Sequence, residues 1–523
     1  MDPISPTPPE PSETPGSRRE RNARHVRRQG RVAFGALIIV AVLAAIGYGV
    51  IRAVDGDAIP TTVSGTSASA SAAASSLAES IASVTATGAT AAPDPVNGNT
   101  AVSTTAVVMT TTTLANLPSR DLQITANPEF VKLAITLQDG TVVTGKTPFS
   151  QEVPGGRIRI DFIKGGYNIT SRDLVLDQDI AFKVWLDPEG QLYQSLVRFK
   201  CGPNPKQVAF TPDGEELWVS LLRGYGLEVY EPTTGEKLGG VKLGEHGAVE
   251  IIFTRDGKTI YAGQMETASV YEIDRETRTV TRHFNTGGSW TKVLLLSPDE
   301  KTLWASNWVS NDISEIDLVT GKLVRRIPTV VTPRGLYVTP DAKWLYVAGF
   351  ENGDIQKIDL ATGKGTVLIK TGGAMRHMVA DDAGGRLYVD DMSTAEVYVV
   401  DLATDEVTKL ADTDQRPNTM DLSPDGKVLY VSNRGKDNPK TYYIPGPQWG
   451  TILAIDTATG TVLDAIVGGN QCTGLDVSPD GKLLAFSDFL DNKIRVYTIP
   501  DYATLAAGGG GRADERFADM IKD

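Results

Sequence analysis

The chain has 523 residues with 41% hydrophobic and 22% charged side chains, an ordinary globular composition with room for two or three domains. Its net charge of -13 is uneven: residues 1–31 carry seven arginines against four carboxylates (+3), so everything after them carries -16, which argues against nucleic acid as a partner of the whole body. Two cysteines and four histidines, without Cys-x-x-Cys, Cys-x-x-Cys-His or His-Glu-x-x-His, exclude thiolate zinc, iron–sulfur and covalent haem sites, and no cofactor or metal is expected.

Residues 1–31 are rich in Pro and Arg with no apolar period, and read as a disordered basic cytoplasmic tail. Val32 to Ile51 is an uncharged run of twenty residues, enough to cross the ~30 Å hydrocarbon layer as a helix. The arginines before it place the N-terminus in the cytoplasm and the rest outside. Its length and the Tyr48 and Ile51 at its end suit an uncleaved anchor better than a signal peptide. Residues 52–120 are mostly Ser, Thr, Ala and Gly, too poor in apolar side chains to offset the entropy of ordering, and read as a linker with a reach of roughly 45 Å.

Residues 121–187 show short alternating strands (Leu122–Thr125, Val131–Leu137, Arg157–Ile163, Ile180–Leu186) separated by Asp139-Gly140, Gly155-Gly156 and Gly165-Gly166. That pattern predicts a small β-sandwich. Gly145-Lys-Thr-Pro148, Val153-Pro-Gly155 and Lys164-Gly-Gly-Tyr167 resemble the PEGA domain of bacterial and archaeal surface proteins, although Phe130 stands where that family has Gly. The resemblance implies a cell-surface spacer or adhesion module and brings no catalytic residues.

From residue 188 to 500 a repeat takes over. Its marker is a Thr/Ser-Pro-Asp-Gly turn, seen at Thr211–Gly214, Thr254–Gly257, Ser297–Glu300, Thr339–Ala342, Asp381–Gly384, Ser423–Gly426 and Ser478–Gly481. The third residues of these markers are 43, 43, 42, 42, 42 and 55 apart. A second turn about 22 residues on, as in Asp317–Gly321, gives two hairpins and four strands per unit, which is a propeller blade. The last unit lacks a fourth strand, whereas Ser195–Lys200 precedes the first unit unpaired and should complete it. The fold class is therefore all-β: a seven-bladed β-propeller behind a PEGA-like sandwich and one transmembrane helix. Leu429-Tyr-Val-Ser-Asn433 and Leu303-Trp-Ala-Ser-Asn307 resemble the YVTN family of β-propellers. That resemblance covers residues 195 to 500 and implies a surface-layer-like or secreted protein; it also implies a fold shared with lactonases and electron-transfer propellers.

Aligning the repeats suggests a site. One residue into each innermost strand stand Lys206, Val249, Lys292, Arg334, Arg376, Asn418 and Thr473, so four cations should converge on one axial mouth. Either they bind an anion or each pairs with a carboxylate or carbonyl of the wall. In the neighbouring loops come Leu222, Met265, Trp308, Phe350, Met392, Arg434 and Phe489, which either form a contact rim or plug gaps between blades. The long interval arises from an enlarged loop, Arg434–Gly450, whose Tyr442, Tyr443 and Trp449 should make an aromatic flap over the mouth, suited to a sugar ring or peptide side chain. Cys201 and Cys472 flank the expected seam of the ring and should form a disulfide.

The resulting expectation is a membrane-anchored extracytoplasmic binding module for a cell-envelope glycan or protein partner, with no nucleic acid bound. An enzyme, lactonase-like hydrolase or lyase, is the alternative, with His377 and Asp390 or Asp391 as the candidate acid/base pair. A purely structural envelope protein is a third. Residues 501–523 read as a C-terminal tail with helical periodicity at Phe517, Met520 and Ile521.

Overall fold

A computed structural model describes residues 117–508. The expected cytoplasmic tail, the membrane helix at 32–51, nearly all of the 52–120 linker and the end of the C-terminal tail lie outside the described residues. Among those described, no helix is long and apolar enough to cross a membrane.

The first described domain holds seven strands: β1 (Arg120–Asn127), β2 (Lys132–Thr136), β3 (Val142–Lys146), β4 (Phe149–Val153), β5 (Gly156–Ile163), β6 (Thr170–Leu176) and β7 (Ile180–Trp185). They form two sheets, ordered β4-β1-β7 and β3-β2-β5-β6. Strict alternation decides which face is buried. Leu122 and Ile124 of β1 and Ile158, Ile160 and Phe162 of β5 point into one shared core, while the residues between them face outward. Each such apolar side chain contributes about 1.5–3 kcal/mol by leaving water.

A connection through Tyr193 leads to β8 (Gln194–Lys200) and then to a β-propeller architecture. Seven four-stranded antiparallel sheets follow one another, the first built from Pro205–Phe210, Leu217–Leu221, Gly226–Tyr230 and Lys237–Lys242. Turn chemistry explains the repeat. The hydroxyl of Thr211 donates to Asp213 Oδ1 at 2.6 Å and accepts the Glu216 amide at 3.0 Å. Ser297 with Asp299 and Thr302, Ser423 with Asp425 and Val428, and Ser478 with Asp480 and Leu483 do the same. Each marker thus fastens the hairpin between the first and second strands.

The seventh sheet takes its fourth strand from the N-terminal side: β8 pairs antiparallel with Lys493–Thr498, from Lys200 opposite Lys493 to Gln194 opposite Thr498. The first and last inner strands then meet, and Ser487 Oγ, on the second strand of the seventh sheet, donates to the Pro205 carbonyl at 3.1 Å. Other inner strands are tied to their neighbours by side chains. Gln207 exchanges two hydrogen bonds with the Ile251 backbone, Arg376 Nε donates to the Asn418 carbonyl (2.7 Å), and Asn418 Nδ2 donates to the Thr473 carbonyl (2.8 Å). Beyond Thr498 the chain does not simply trail away. Tyr502–Ala507 forms a short helix capped by Asp501, with Leu505 buried and the Tyr502 hydroxyl donating to Asp456 at 2.5 Å.

The expected Cys201–Cys472 disulfide is corrected by this topology, because both thiols are free. Cys201 follows β8, the outermost strand of the seventh sheet, and Cys472 begins its innermost strand; the sheet order places two strands between them. Three interstrand spacings amount to roughly 14 Å, twice the ~7 Å a disulfide tolerates between Cα atoms. Cys201 Sγ lies 3.4 Å from the Gly202 carbonyl and Cys472 Sγ 3.5 Å from Asp488 Oδ1. Burial pushes both thiols well above their usual pKa, which suppresses the reactive thiolate. Thiol titration without reductant should therefore find no fast-reacting group in the native protein and two after denaturation. A count of zero in denaturant would restore the bridge.

Candidate functional site

The inner strands and the loops joining second to third strands meet on one face of the propeller, and a repeated backbone contact holds them there. The amides of Leu222, Trp308, Phe350, Met392, Arg434 and Phe489 donate to the carbonyls of Asn204, Trp290, Thr332, Ala374, Arg416 and Gln471, each at 2.9–3.1 Å. Each acceptor immediately precedes an inner strand. The loop residue is thereby fixed beside the strand's second residue, where the cations stand.

Lys206, Lys292, Arg334 and Arg376 stand near enough for the charge of one to act on another. Burial lowers the proton affinity of Lys206, and the charges of Arg376, Arg334, Arg434 and Lys292 lower it further. Lys292 is lowered by burial and by Arg334 and Arg376. Both arginines keep their charge, since a guanidinium does not deprotonate in proteins. Arg434, in the loop series, is thus a fifth cation of the cluster.

The partners of these groups differ. Arg376 is only 4% exposed and donates to the Asn418 carbonyl, with Met392 Sδ 3.7 Å away. It is built into the channel wall. For Lys206, Lys292 and Arg334, no carboxylate lies within ion-pair distance among the described residues. They lie instead across the loop side chains: Lys206 over Phe489 (5.7 Å), Lys292 over Trp308 (4.6 Å) and Trp290 (5.6 Å), and Arg334 over Trp308 (5.3 Å) and Phe350 (5.9 Å). Lys292 Nζ also reaches Met265 Sδ at 2.6 Å. Cation–π attraction of about 0.5–2 kcal/mol orients such charges without neutralising them.

The loop residues both fill space and remain accessible. Met392 and Phe489 are buried, whereas Leu222, Met265, Trp308, Phe350 and Arg434 are half-buried.

The enlarged loop is ordered by its own polar contacts. Asn438 Nδ2 donates to the Pro445 carbonyl at 3.1 Å, Lys436 N to Gln448 Oε1 at 3.0 Å, and Gln471 Nε2 to the Tyr442 carbonyl at 2.6 Å. Tyr442 lies tilted by 33° against Tyr443 with centroids 4.1 Å apart, and Tyr443 approaches Phe489 at 6.3 Å. Arg434 lies over Tyr442 (5.4 Å) and Arg223 over Tyr443 (4.0 Å). The two tyrosines thus reach the mouth. Trp449 stands at the loop's base, where the chain returns to the strand Thr451–Asp456, with its carbonyl beside Gly435.

The candidate acid/base pair is not assembled as a pair. His377 Nδ1 accepts the Met420 amide at 3.3 Å, and burial drives its pKa down to about 3, so the ring stays neutral. Asp390 Oδ1 accepts the His377 backbone amide at 2.5 Å, not its ring. Asp391 accepts from the amides of Ala374, Ser393 and Thr394 and from the Thr371 hydroxyl, as a cap of its loop.

Repeat alignment also carries two residues that the cation series alone overlooks. Glu250, three positions before Phe253 in its inner strand, shares the channel with Lys206, Arg334 and Arg376. Burial pushes its pKa up to about 8, more than those cations pull it down. Trp290, just before an inner strand, has φ 62° and is 43% exposed. A bulky residue in this left-handed region costs roughly 1–3 kcal/mol.

Anion affinity at this mouth should depend on pH. Below about 8 Glu250 is neutral; above it, Glu250 ionises beside Arg334, Lys206 and Arg376 and its charge opposes an entering anion. Binding of inorganic phosphate should weaken as pH rises through about 8. A Glu250→Gln variant should bind like the wild type at low pH and more tightly at high pH; identical profiles would remove Glu250 from the site.

A family model described as YNCE-like beta-propeller matches residues 259–471. Antigen Lp49 of Leptospira interrogans serogroup Icterohaemorrhagiae serovar copenhageni is 34% identical over 351 residues, covering 64% of this chain and 75% of that protein. Among solved structures, the hydrazine synthase of Kuenenia stuttgartiensis superposes with a TM-score of 0.50 at 21% identity, over 57% of this chain and 96% of that one, a likeness of fold alone.

Proposed function

The chain belongs to the β-propeller family that includes Antigen Lp49, and from that premise we propose that it is a membrane-anchored extracytoplasmic binding module. Its seven four-stranded sheets serve as the seven blades of one ring. The face bearing Lys206, Lys292, Arg334 and the tyrosine flap takes an anionic group of a cell-envelope glycan or protein partner. One observation carries this reading: several cations are gathered at one mouth and oriented by aromatic faces, with no carboxylate paired to Lys206, Lys292 or Arg334 among the described residues. A wall that needed those charges only for its own cohesion would pair them, as Arg495 pairs with Asp488 at 2.6 Å within the seventh sheet. The surface elsewhere is acidic, so the mouth stands out electrostatically. In this reading the PEGA-like domain and the 52–120 linker hold the propeller away from the membrane.

The binding test uses the purified protein against envelope glycan and envelope protein fractions. Lys206→Ala with Arg334→Ala should lower retention about 100-fold, two charge-assisted contacts being worth about 1.5 kcal/mol each. Added salt should act in the same direction. Retention of neither fraction, or retention indifferent to the double substitution, would overturn the reading. Placement is tested separately: protease added to intact cells should release the propeller and spare the residues before Val32, and a protected propeller would refute the anchor.

A further inference from the structure

We infer that the group taken at the mouth is an acidic saccharide, a sugar unit carrying one or two carboxylate or phosphate groups; this rests on the anion-binding reading above. The aromatic groups are arranged as two walls. One, from the third and fourth sheets, interleaves Trp290, Trp308 and Phe350 with Lys292 and Arg334, and Trp308 and Phe350 lie 4.9 Å apart. The other interleaves Tyr442, Tyr443 and Phe489 with Arg434, Arg223 and Lys206. It is drawn from the sixth, seventh and first sheets, which lie across a closed ring from the third and fourth. A ligand on the axis therefore meets an aromatic face and a positive charge on either side.

That pairing selects a ligand with a flat apolar face and an acid group on the same small body. A sugar ring offers C–H faces to Trp and Tyr and carries its acid at the edge, within reach of the interleaved cations. Its hydroxyls also have an acceptor: the Glu250 carboxyl faces the same channel, and no hydrogen bond to it is formed among the described residues.

Two exposed rings belong to this site. Trp290 keeps its indole 43% exposed although its backbone is in the left-handed region, and Tyr442 is 40% exposed at the flap. Neither exposure serves the packing of the propeller. An acidic peptide matches the charge and leaves these rings without a face to stack on. A nucleic-acid strand has both bases and charge, but it would extend past the mouth over a body of net charge -16. A compact acidic unit avoids that repulsion.

The experiment compares, by calorimetry on the full-length protein in detergent, trigalacturonate, the neutral galactose trimer, tri-aspartate, oligothymidylate and inorganic phosphate. Trigalacturonate should bind at least tenfold more tightly than the neutral trimer and than tri-aspartate. Trp290→Gly removes the ring and relieves its backbone, so it should lower trigalacturonate affinity about tenfold, lower phosphate affinity by a smaller factor, and not lower the melting temperature. Should Trp290→Gly nevertheless melt early, Tyr442→Ala at the opposite wall gives the same readout. Equal affinity for tri-aspartate, tighter binding of oligothymidylate, or indifference to both substitutions would overturn the saccharide while leaving the anion site standing. Failure of every anion, phosphate included, would remove the anion site itself.

Discussion

A ring of radial sheets must satisfy the backbone of its innermost strands, which cannot pair with one another as a sheet does. Everything along the axis follows from that requirement. Side chains close the gap instead: Gln207 onto Ile251, Arg376 onto Asn418, Asn418 onto Thr473, and Asp476 accepting the Phe210 amide at 2.6 Å. The channel is polar because those groups are needed there, and carboxyls drawn into it are held away from water. Asp421 and Asp476 are both raised by burial, yet each accepts an amide from the next sheet. A propeller channel thus places ionisable groups in a low-dielectric lining before any ligand is considered.

The mouth uses the same lining differently. Where Arg376 completes the wall, Lys206, Lys292 and Arg334 are turned onto aromatic faces. Such a contact restrains a cation while leaving its field directed into the opening. Ion pairs elsewhere in the same sheets show the contrast. Arg325 bonds Glu315 at 2.9 Å and the Leu360 carbonyl at 2.5 Å, which joins the third and fourth sheets at their periphery and leaves no net charge outside. That pair is closed on itself, whereas Lys206, Lys292 and Arg334 have no carboxylate within ion-pair distance among the described residues.

How much of this could be read from residues alone depended on whether the determinant was local. The Thr211, Ser297, Ser423 and Ser478 markers announce their hairpins because hydroxyl, Asp and amide lie within five residues of one another. The cation series was equally legible, since one offset from each marker names the same place in every sheet. The Arg at position 434 stood in a column of apolar residues and was a visible anomaly whose reach into the cation cluster needed coordinates. Trp290 was detectable two columns before the cations, as the one aromatic residue among Asn204, Gly247, Thr332, Ala374, Arg416 and Gln471, and Glu250 one column after them. The cysteines misled because proximity to a seam along the chain says nothing of distance across a sheet. Likewise β3, β4 and β6 lack long apolar alternation and depend on their partners, and the helix Tyr502–Ala507 is only six residues long, too short for any periodicity.

The pairing of β8 with Lys493–Thr498 also sets an order of events during synthesis. The two strands are separated by about 300 residues, which a ribosome working at 5–20 residues per second needs roughly 15–60 s to make. Through that interval β8 has no partner, and the apolar flank of Val208 and Phe210, which Ile494 and Val496 later cover, stays open. A chain cut short anywhere before residue 493 keeps that strand edge exposed. Completeness of the polypeptide is therefore displayed on its own surface, where chaperones and proteases that bind open edges can tell a finished molecule from a fragment.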